Sequence, residues 1–133
     1  MHTTPIQIRF NDVDQMGHIN NAVIMEYFDL GKSRYFADAG VPVTPDEGDF
    51  AVMIVHYEVD FLSQLHYHDR LQVTSQVTRF GNKSFELTQQ VVCDGKPMVV
   101  CRTVMAGYSR RAAAAAVIPE ELKEQIRRFD ASC

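Results

Sequence analysis

The rhythm of hydrophobic and polar residues changes along this chain. Ile6, Ile8 and Phe10 alternate with Gln7, Arg9 and Asn11, the two-residue period of a half-buried strand. From about Asn21 to Ala39 the period becomes helical. Ile24, Phe28, Gly31, Tyr35 and Ala39 form one stripe, which Val23, Tyr27 and Leu30 widen and Met25 and Phe36 extend. So broad an apolar surface predicts a helix covered on several sides, not one resting on a surface. Gly40, with Pro42 two positions later, marks its end. About nineteen residues at ~1.5 Å each give roughly 28 Å, long enough to lie along a whole sheet.

After a loop rich in Pro, Asp and Gly over 42–49, alternation returns. Met53, Val55, Tyr57, Val59 and Phe61 face His56, Glu58 and Asp60, and Leu71, Val73 and Val77 alternate with Gln72, Thr74, Gln76 and Thr78. Phe85, Leu87, Val91 and Cys93 continue the pattern, followed by Met98 to Tyr108. Gly81-Asn82 and Asp94-Gly95 fall where two-residue hairpin turns need positive φ, which predicts an antiparallel meander. RRAAAAAVIP at 110–119 reads as a helix extension or a loose connector. Beyond Pro119, Leu122, Ile126 and Phe129 fit a short amphipathic helix. The order predicts an α+β domain spanning 1–133, without internal repeats, in which a five-stranded antiparallel sheet wraps one long helix. Five strands hardly cover so apolar a helix, so a second subunit's sheet is expected to complete the burial.

Composition narrows the class. With 133 residues, 46% hydrophobic and 23% charged, the chain reads as one soluble globular domain. A net charge of -4 argues against a general nucleic-acid binder, although a small basic patch for a phosphorylated ligand is compatible with it. Cys93, Cys101 and Cys133 are odd in number and lack framework spacing, which points to reduced thiols and an intracellular protein. MHTTPIQIRF has no basic region leading into an apolar stretch, and no run of about 18 apolar residues occurs. The expectation is a cytoplasmic protein with no membrane or nucleic-acid partner.

Candidate chemistry concentrates in FNDVDQMGHINN at 10–21, where the first strand meets the helix. The first four N–H groups of a helix lack partners within it, and the macrodipole concentrates positive charge there. Asn20 or Asn21 is a natural N-cap. On one reading, Asp12, Asp14, Asn20 and Asn21 only satisfy the turn and the cap. On the other, a free N–H at the helix start holds the oxyanion of acyl transfer, beside a carboxylate acting as general base or nucleophile. A thioester suits so small a site, because a thiolate leaves with little help from an acid.

The stretch IRFNDVDQMGHINNAVIMEYFDLGKSRYF resembles the hotdog-fold acyl-CoA thioesterases of the 4-hydroxybenzoyl-CoA thioesterase-like family, whose mark is D-x-D-x-x-G-H-[IV]-N-N followed by an aromatic-rich helix. Asp12, Asp14, Gly17, His18, Ile19, Asn20 and Asn21 match it position by position, and RFGNKSF at 79–85 resembles the family's R-x-G-x-x-S-F hairpin. The resemblance implies a hotdog fold in which two subunits pair their sheets as a homodimer, often within a homotetramer. It implies hydrolysis of an acyl-CoA or acyl-carrier-protein thioester without metal or cofactor. By carry-over Asp14 is the catalytic carboxylate and the Asn21 N–H the oxyanion donor. Gly17 lets the loop approach the thioester, and His18 touches substrate or orients the loop. Arg79, Lys83 and Ser84 are the candidates for the CoA phosphates, with Arg110 and Arg111 as weaker ones. Asp12 is expected to bond its own turn. Glu26, two turns into the helix, is the alternative catalytic carboxylate used by some relatives of the same fold.

Other signals are weaker. LGKS at 30–33 resembles the end of a phosphate-binding loop, but Glu26 stands where that motif needs glycine. His66 and His68 with Asp69 lack a third ligand at diagnostic spacing, so a solvated loop is expected there. No G-x-S-x-G occurs. Two rival functions stay open: a hotdog enoyl-thioester hydratase or dehydratase, with only His18 near Asp14, and a non-catalytic acyl-CoA-binding module.

Overall fold

The structure is a computed structural model that describes residues 1–41 and 48–133. Most of the loop expected at 42–49 lies outside the described residues. The elements are β1 (His2–Ile6), a 3-10 turn (Phe10–Asp12), α1 (Asn21–Ala39), β2 (Phe50–Phe61), β3 (Leu71–Phe80), β4 (Ser84–Cys93), β5 (Lys96–Ser109), β6 (Ala114–Ala115) and α2 (Glu120–Ser132). All the pairings are antiparallel, in the order β1-β3-β4-β5-β2, with β6 added beside β5. The α+β expectation holds: one sheet curves around one long helix.

The helix bounds agree with the sequence pattern. Asn20 is the N-cap, its side-chain oxygen accepting the Ala22 N–H at 2.8 Å. Gly40 closes the helix in the left-handed conformation at φ 72°. The N-terminal half of α1 buries Ile24, Tyr27 and Phe28 against Leu65, Val73, Val91, Val99 and Cys101. The C-terminal half buries Tyr35, Phe36 and Ala39 against Val77, Phe85, Leu87 and Met105 of the sheet and Ile126 of α2. Between the two halves the helix touches the sheet most closely, at Gly31. A Cβ there would lie 2.5 Å from Cγ1 of Val73. Beside it, buried Gln89 donates to the Phe28 carbonyl at 3.0 Å and to the Ser75 hydroxyl at 3.1 Å, tying sheet to helix.

Three local expectations are corrected. The first strand is His2–Ile6, not 6–10; the Arg9 N–H turns back to the Asp12 carboxylate at 3.0 Å, which ends the extended run and leaves Phe10 82% exposed. Gly81-Asn82 is not a two-residue turn with positive φ: residues 81–83 form the loop, closed by a 2.7 Å bond from the Gly81 N–H to the Ser84 carbonyl. Asp94-Gly95, by contrast, has φ of 49° and 83°, as a two-residue hairpin requires. The alanine run is neither helix nor loose connector. It turns through Ala113 at φ 51°, and Ala114–Ala115 pairs with Tyr108 and Ser109 as a sixth, minimal strand.

β2 departs from its alternation for a different reason. Met53, Val55, Tyr57 and Phe61 are all exposed, although they carry the apolar period. β2 is an edge strand, hydrogen-bonded to β5 on one side with no strand on its other side among the described residues. Of these side chains Tyr57 is covered in part by Lys32, whose ammonium lies 5.0 Å over its ring, and all four still present apolar surface to solvent. Of the cysteines, Cys101 is buried, Cys93 half-buried and Cys133 exposed.

Candidate active site

The segment between the 3-10 turn and α1 folds as a tight loop pinned at both ends. The Asp14 N–H donates to the His18 carbonyl at 2.8 Å, and the Gly17 N–H to the Asp14 carbonyl at 3.1 Å. Gly17 closes this loop at φ 79°, a conformation that costs a side-chain-bearing residue energy. Beyond it, the Ile19 N–H reaches the Leu65 carbonyl at 2.8 Å and the Asn20 N–H the Asp12 carbonyl at 3.0 Å, fixing the helix start to the segment after β2 and to the 3-10 turn.

The two aspartates are treated differently. Asp12 is 1% exposed and accepts the Tyr27 hydroxyl at 2.6 Å, the Arg9 N–H at 3.0 Å and the Arg9 guanidinium at 3.1 Å. Burial pushes its carboxyl up, but the bonds from Tyr27 and Arg9 outweigh that and hold it below the usual carboxylate range. Burial and the Asp12 carboxylate push the Tyr27 hydroxyl far above its ordinary value, so it remains a donor. Every strong interaction of Asp12 is thus internal. Asp14 is exposed, and only Oδ1 is engaged: it accepts the Met16 N–H at 2.9 Å and the His18 N–H at 3.1 Å. Oδ2 has no hydrogen-bond partner among the described residues, and the two bonds to Oδ1 fix where it points.

Asp14 opens onto a cavity of about 450 Å³, shared with His18, Asn20 and Asn21 on one wall and the 61–65 segment after β2 on the other. The Asn20 side chain occupies the Ala22 N–H, while the Asn21 N–H has no acceptor among the described residues. A carboxylate oxygen and an unpartnered N–H at a helix N-terminus therefore line one space. This pairing can hold a carbonyl and activate a nucleophile towards it.

His18 is half-buried in the same wall, its ring edge-on to His66 with centroids 5.2 Å apart. His66 belongs to a turn in which its N–H donates to Asp69 at 2.8 Å. Glu26 stands away from the cavity, exposed and ion-paired with Arg9 at 3.4 Å. Four cavity-wall residues, Leu62, Ser63, Gln64 and Leu65, escaped sequence reasoning. They belong to no periodic element and no motif, so only the fold reveals them.

The chain matches the sequence model of the thioesterase-like superfamily over residues 8–126. It belongs to that family. Among proteins it resembles is a 1,4-dihydroxy-2-naphthoyl-CoA hydrolase of Synechococcus elongatus, 23% identical over 123 residues that make up 90% of each chain. A thioesterase from Thermus thermophilus, solved with coenzyme A and Zn, is 28% identical, with a TM-score of 0.80 over 97% of this chain and 93% of that one. A 1,4-dihydroxy-2-naphthoyl-CoA thioesterase from Synechocystis has a TM-score of 0.85 at 19% identity, covering 96% of both chains. The hotdog architecture follows from these likenesses, and membership makes this chain an enzyme of the thioester-hydrolase class. Among the described residues no helix is long and apolar enough to cross a membrane.

The thioesterase fold does not bring the expected CoA-binding residues to Asp14 within one chain. Arg79 and Ser84 line a cavity of about 240 Å³ with Phe85 and Glu86, and Lys83 is exposed on the adjoining loop. Arg110 and Arg111 line another cavity, beside Asp49. The Ser109 hydroxyl and the Arg111 N–H hold the Asp49 carboxyl below its usual range, which places a negative charge beside both arginines. By register, Arg79 pairs with Glu86 near the Phe85–Met105 end of the sheet, whereas the Asp14 cavity adjoins the Phe61–Val99 end. Val73 to Arg79 alone, at ~3.3 Å per residue, spans about 20 Å.

Proposed function

We propose that this protein hydrolyses an acyl-CoA thioester to the free carboxylic acid and CoA. One observation carries the reading: Oδ2 of Asp14 and the N–H of Asn21, both without partners among the described residues, line the same cavity. The substrate carbonyl sits against the Asn21 N–H, where the helix dipole favours the developing negative charge. Asp14 takes a proton from water as the water oxygen bonds to the carbonyl carbon, or attacks that carbon itself. Collapse of the tetrahedral oxyanion breaks the C–S bond, and the electron pair leaves on the thiolate. If Asp14 attacks, water then cleaves the acyl–aspartate. Gly17 and His18 hold the loop that aims Asp14. The steps use groups of the chain and water, with no resident metal or cofactor.

The proposal includes a homodimer, which can pair further into a tetramer. β2 is an uncapped apolar edge, and antiparallel pairing of two β2 strands would extend the sheet and cover Val55 and its neighbours. Antiparallel pairing also sets the Phe61 end of one β2 beside the Phe50 end of the other. That brings Arg79 and Ser84 of the partner subunit to the Asp14 end, with Lys83 of the partner subunit on the adjoining loop, as CoA-phosphate ligands. The 1,4-dihydroxy-2-naphthoyl-CoA hydrolase that this chain resembles supports an acyl-CoA substrate; a cytoplasmic location is part of the proposal.

The test is a panel of acyl-CoA esters followed by free-thiol release, run on wild type and Asp14→Asn. Wild type is expected to turn over at least one ester, and Asp14→Asn to lose at least ~100-fold with its circular dichroism unchanged. Near wild-type rates in Asp14→Asn would overturn the assignment.

A further inference from the structure

Lys32 is 6% exposed, and its ammonium is held by two long bonds, at 3.3 Å to the Asp29 carboxylate and 3.3 Å to the Tyr57 hydroxyl. The bond to Tyr57 crosses from α1 to β2. On one flank α1 packs over β1, β3 and β4. On the other, α1 and β2 wall two cavities in succession. The Asp14 cavity is bounded by Asn21 and Ile24 of the helix and Phe61 of the strand. Further along lies a cavity of about 320 Å³, walled by Phe36 of the helix and Val52 and Ile54 of the strand, with Asp29, Lys32 and Ser33 as its polar lining. Tyr57 stands between Phe61 and Ile54 along β2, so the Lys32–Tyr57 tie separates the two cavities.

We infer that Lys32, tied to Asp29 and Tyr57, is the end wall of the acyl pocket and sets the length of chain the enzyme takes. This rests on the reading of Asp14 as the catalyst, with the substrate carbonyl at the Asn21 N–H. Of the apolar lining beside that carbonyl, Ile24 and Phe61 belong to the two elements that run on towards Lys32. Helical side chains lean towards the helix start, so the Lys32 ammonium lies beside Asp29, about two turns beyond Asn21. That separation is roughly 12 Å at ~1.5 Å per residue. An extended chain advances ~1.2 Å per bond, from ~3.5 Å per three backbone bonds, so about ten bonds fill the space. A longer chain would have to push the ammonium off both partners, and a buried charge left unpaired is costly. Without the tie, the second cavity would receive the extra carbons.

The test compares hexanoyl-CoA with tetradecanoyl-CoA, at submicellar concentration, by kcat/KM from thiol release. Wild type, Lys32→Ala, Lys32→Met and Tyr57→Phe are measured. A ratio taken within each variant cancels any loss of folded protein. Wild type is expected to favour the hexanoyl ester at least ~10-fold. Lys32→Ala, which opens the wall, and Lys32→Met, which keeps its volume without the charge, should each raise the tetradecanoyl:hexanoyl ratio at least ~10-fold. Tyr57→Phe removes one bond and should move the ratio the same way by at least ~2-fold; if neither lysine variant folds, this variant decides. An unchanged ratio overturns the inference, and so does a wild type that cleaves the two esters equally well. Asp14→Asn separates the two levels. If it abolishes turnover while the lysine variants leave the ratio unmoved, the length assignment alone fails. Normal turnover in Asp14→Asn would remove the catalyst on which the inference rests. If wild type releases no thiol from any ester, both readings fall.

Discussion

The Tyr27 hydroxyl donates a 2.6 Å hydrogen bond to the carboxylate of Asp12, fifteen residues earlier in the chain. That bond ties the first turns of α1 to the loop that carries Asp14. It explains why two aspartates two residues apart have unlike roles. Asp12 spends its acceptors on the interior, and the geometry it enforces leaves Asp14 facing the cavity.

Tyr27→Phe should therefore destabilise the fold. The buried Asp12 carboxylate would keep its charge and lose one of its donors, at a cost of about 1–3 kcal/mol. The pH dependence has a definite sign. The folded Asp12 pKa lies below the ordinary unfolded value of about 3.9, so the unfolded chain binds the proton first as pH falls. Its contribution is present above about pH 4 and is lost as pH drops from there through the folded-state pKa. Tyr27→Phe removes one of the bonds that depress that pKa, so its stability should fall less steeply below pH 4. Urea midpoints measured at several pH values for both proteins check the size and the slope.

Gly31→Ala is a test of how closely helix and sheet approach. Alanine is the better helix former by ~1 kcal/mol, so propensity alone predicts a gain. Its Cβ would lie 2.5 Å and 2.9 Å from Cγ1 and Cβ of Val73, a stiff β-branched side chain in the core. Overpacking of this kind costs about 1–3 kcal/mol, and the contact should win. A lowered Tm for Gly31→Ala, partly restored by adding Val73→Ala, is the expected result.

Much of this was legible in the chain. The α1 stripe from Ile24 to Ala39 gave the helix within its observed bounds, because a 3.6-residue period sustained over five turns has no other explanation. Asp12, Asp14, Gly17 and Asn20 to Asn21 were legible as a motif, since positive φ and capping are local demands that local sequence must meet. What local sequence does not encode stayed hidden. The periodicity of Met53 to Phe61 announced a buried face, but it carries no information about which chain does the burying. Phe10 read as a core strand residue because its alternation with Ile6 and Ile8 does not reveal that Arg9 turns back to Asp12. The separation of Arg79 from Asp14 is a matter of sheet register, and register is set by pairings between distant segments.

The thiols provide a third check. Cys101 is fully buried, and burial pushes its thiol up, so little thiolate exists at neutral pH and reagent has no path to it. Cys133 is exposed beyond α2. A disulfide-exchange reagent at pH 8 should label Cys133 within the first phase and Cys101 only on unfolding. Mass mapping of the labelled peptides at early and late times distinguishes them. Early labelling of Cys101 would show that the α1–sheet core opens far more readily than its packing implies.

The edge strand yields the last prediction. Val55 is 60% exposed and sits at the bulge where the β2–β5 register shifts between Ile54 and His56, at the middle of the uncapped edge. A charge on a free edge is tolerated within one chain, since the side chain is already in water. In a paired edge it would be buried against its own symmetry mate, where two like charges meet in a dry interface. Val55→Lys should therefore leave the monomer's fold intact and shift the mass measured by light scattering from dimer or tetramer towards monomer. If Arg79 and Ser84 of the partner subunit hold the CoA phosphates, the same variant should raise KM for CoA esters strongly. It should raise KM far less for a truncated pantetheine ester, which carries no nucleotide. An unchanged mass would mean that β2 is not the edge through which copies of this chain associate.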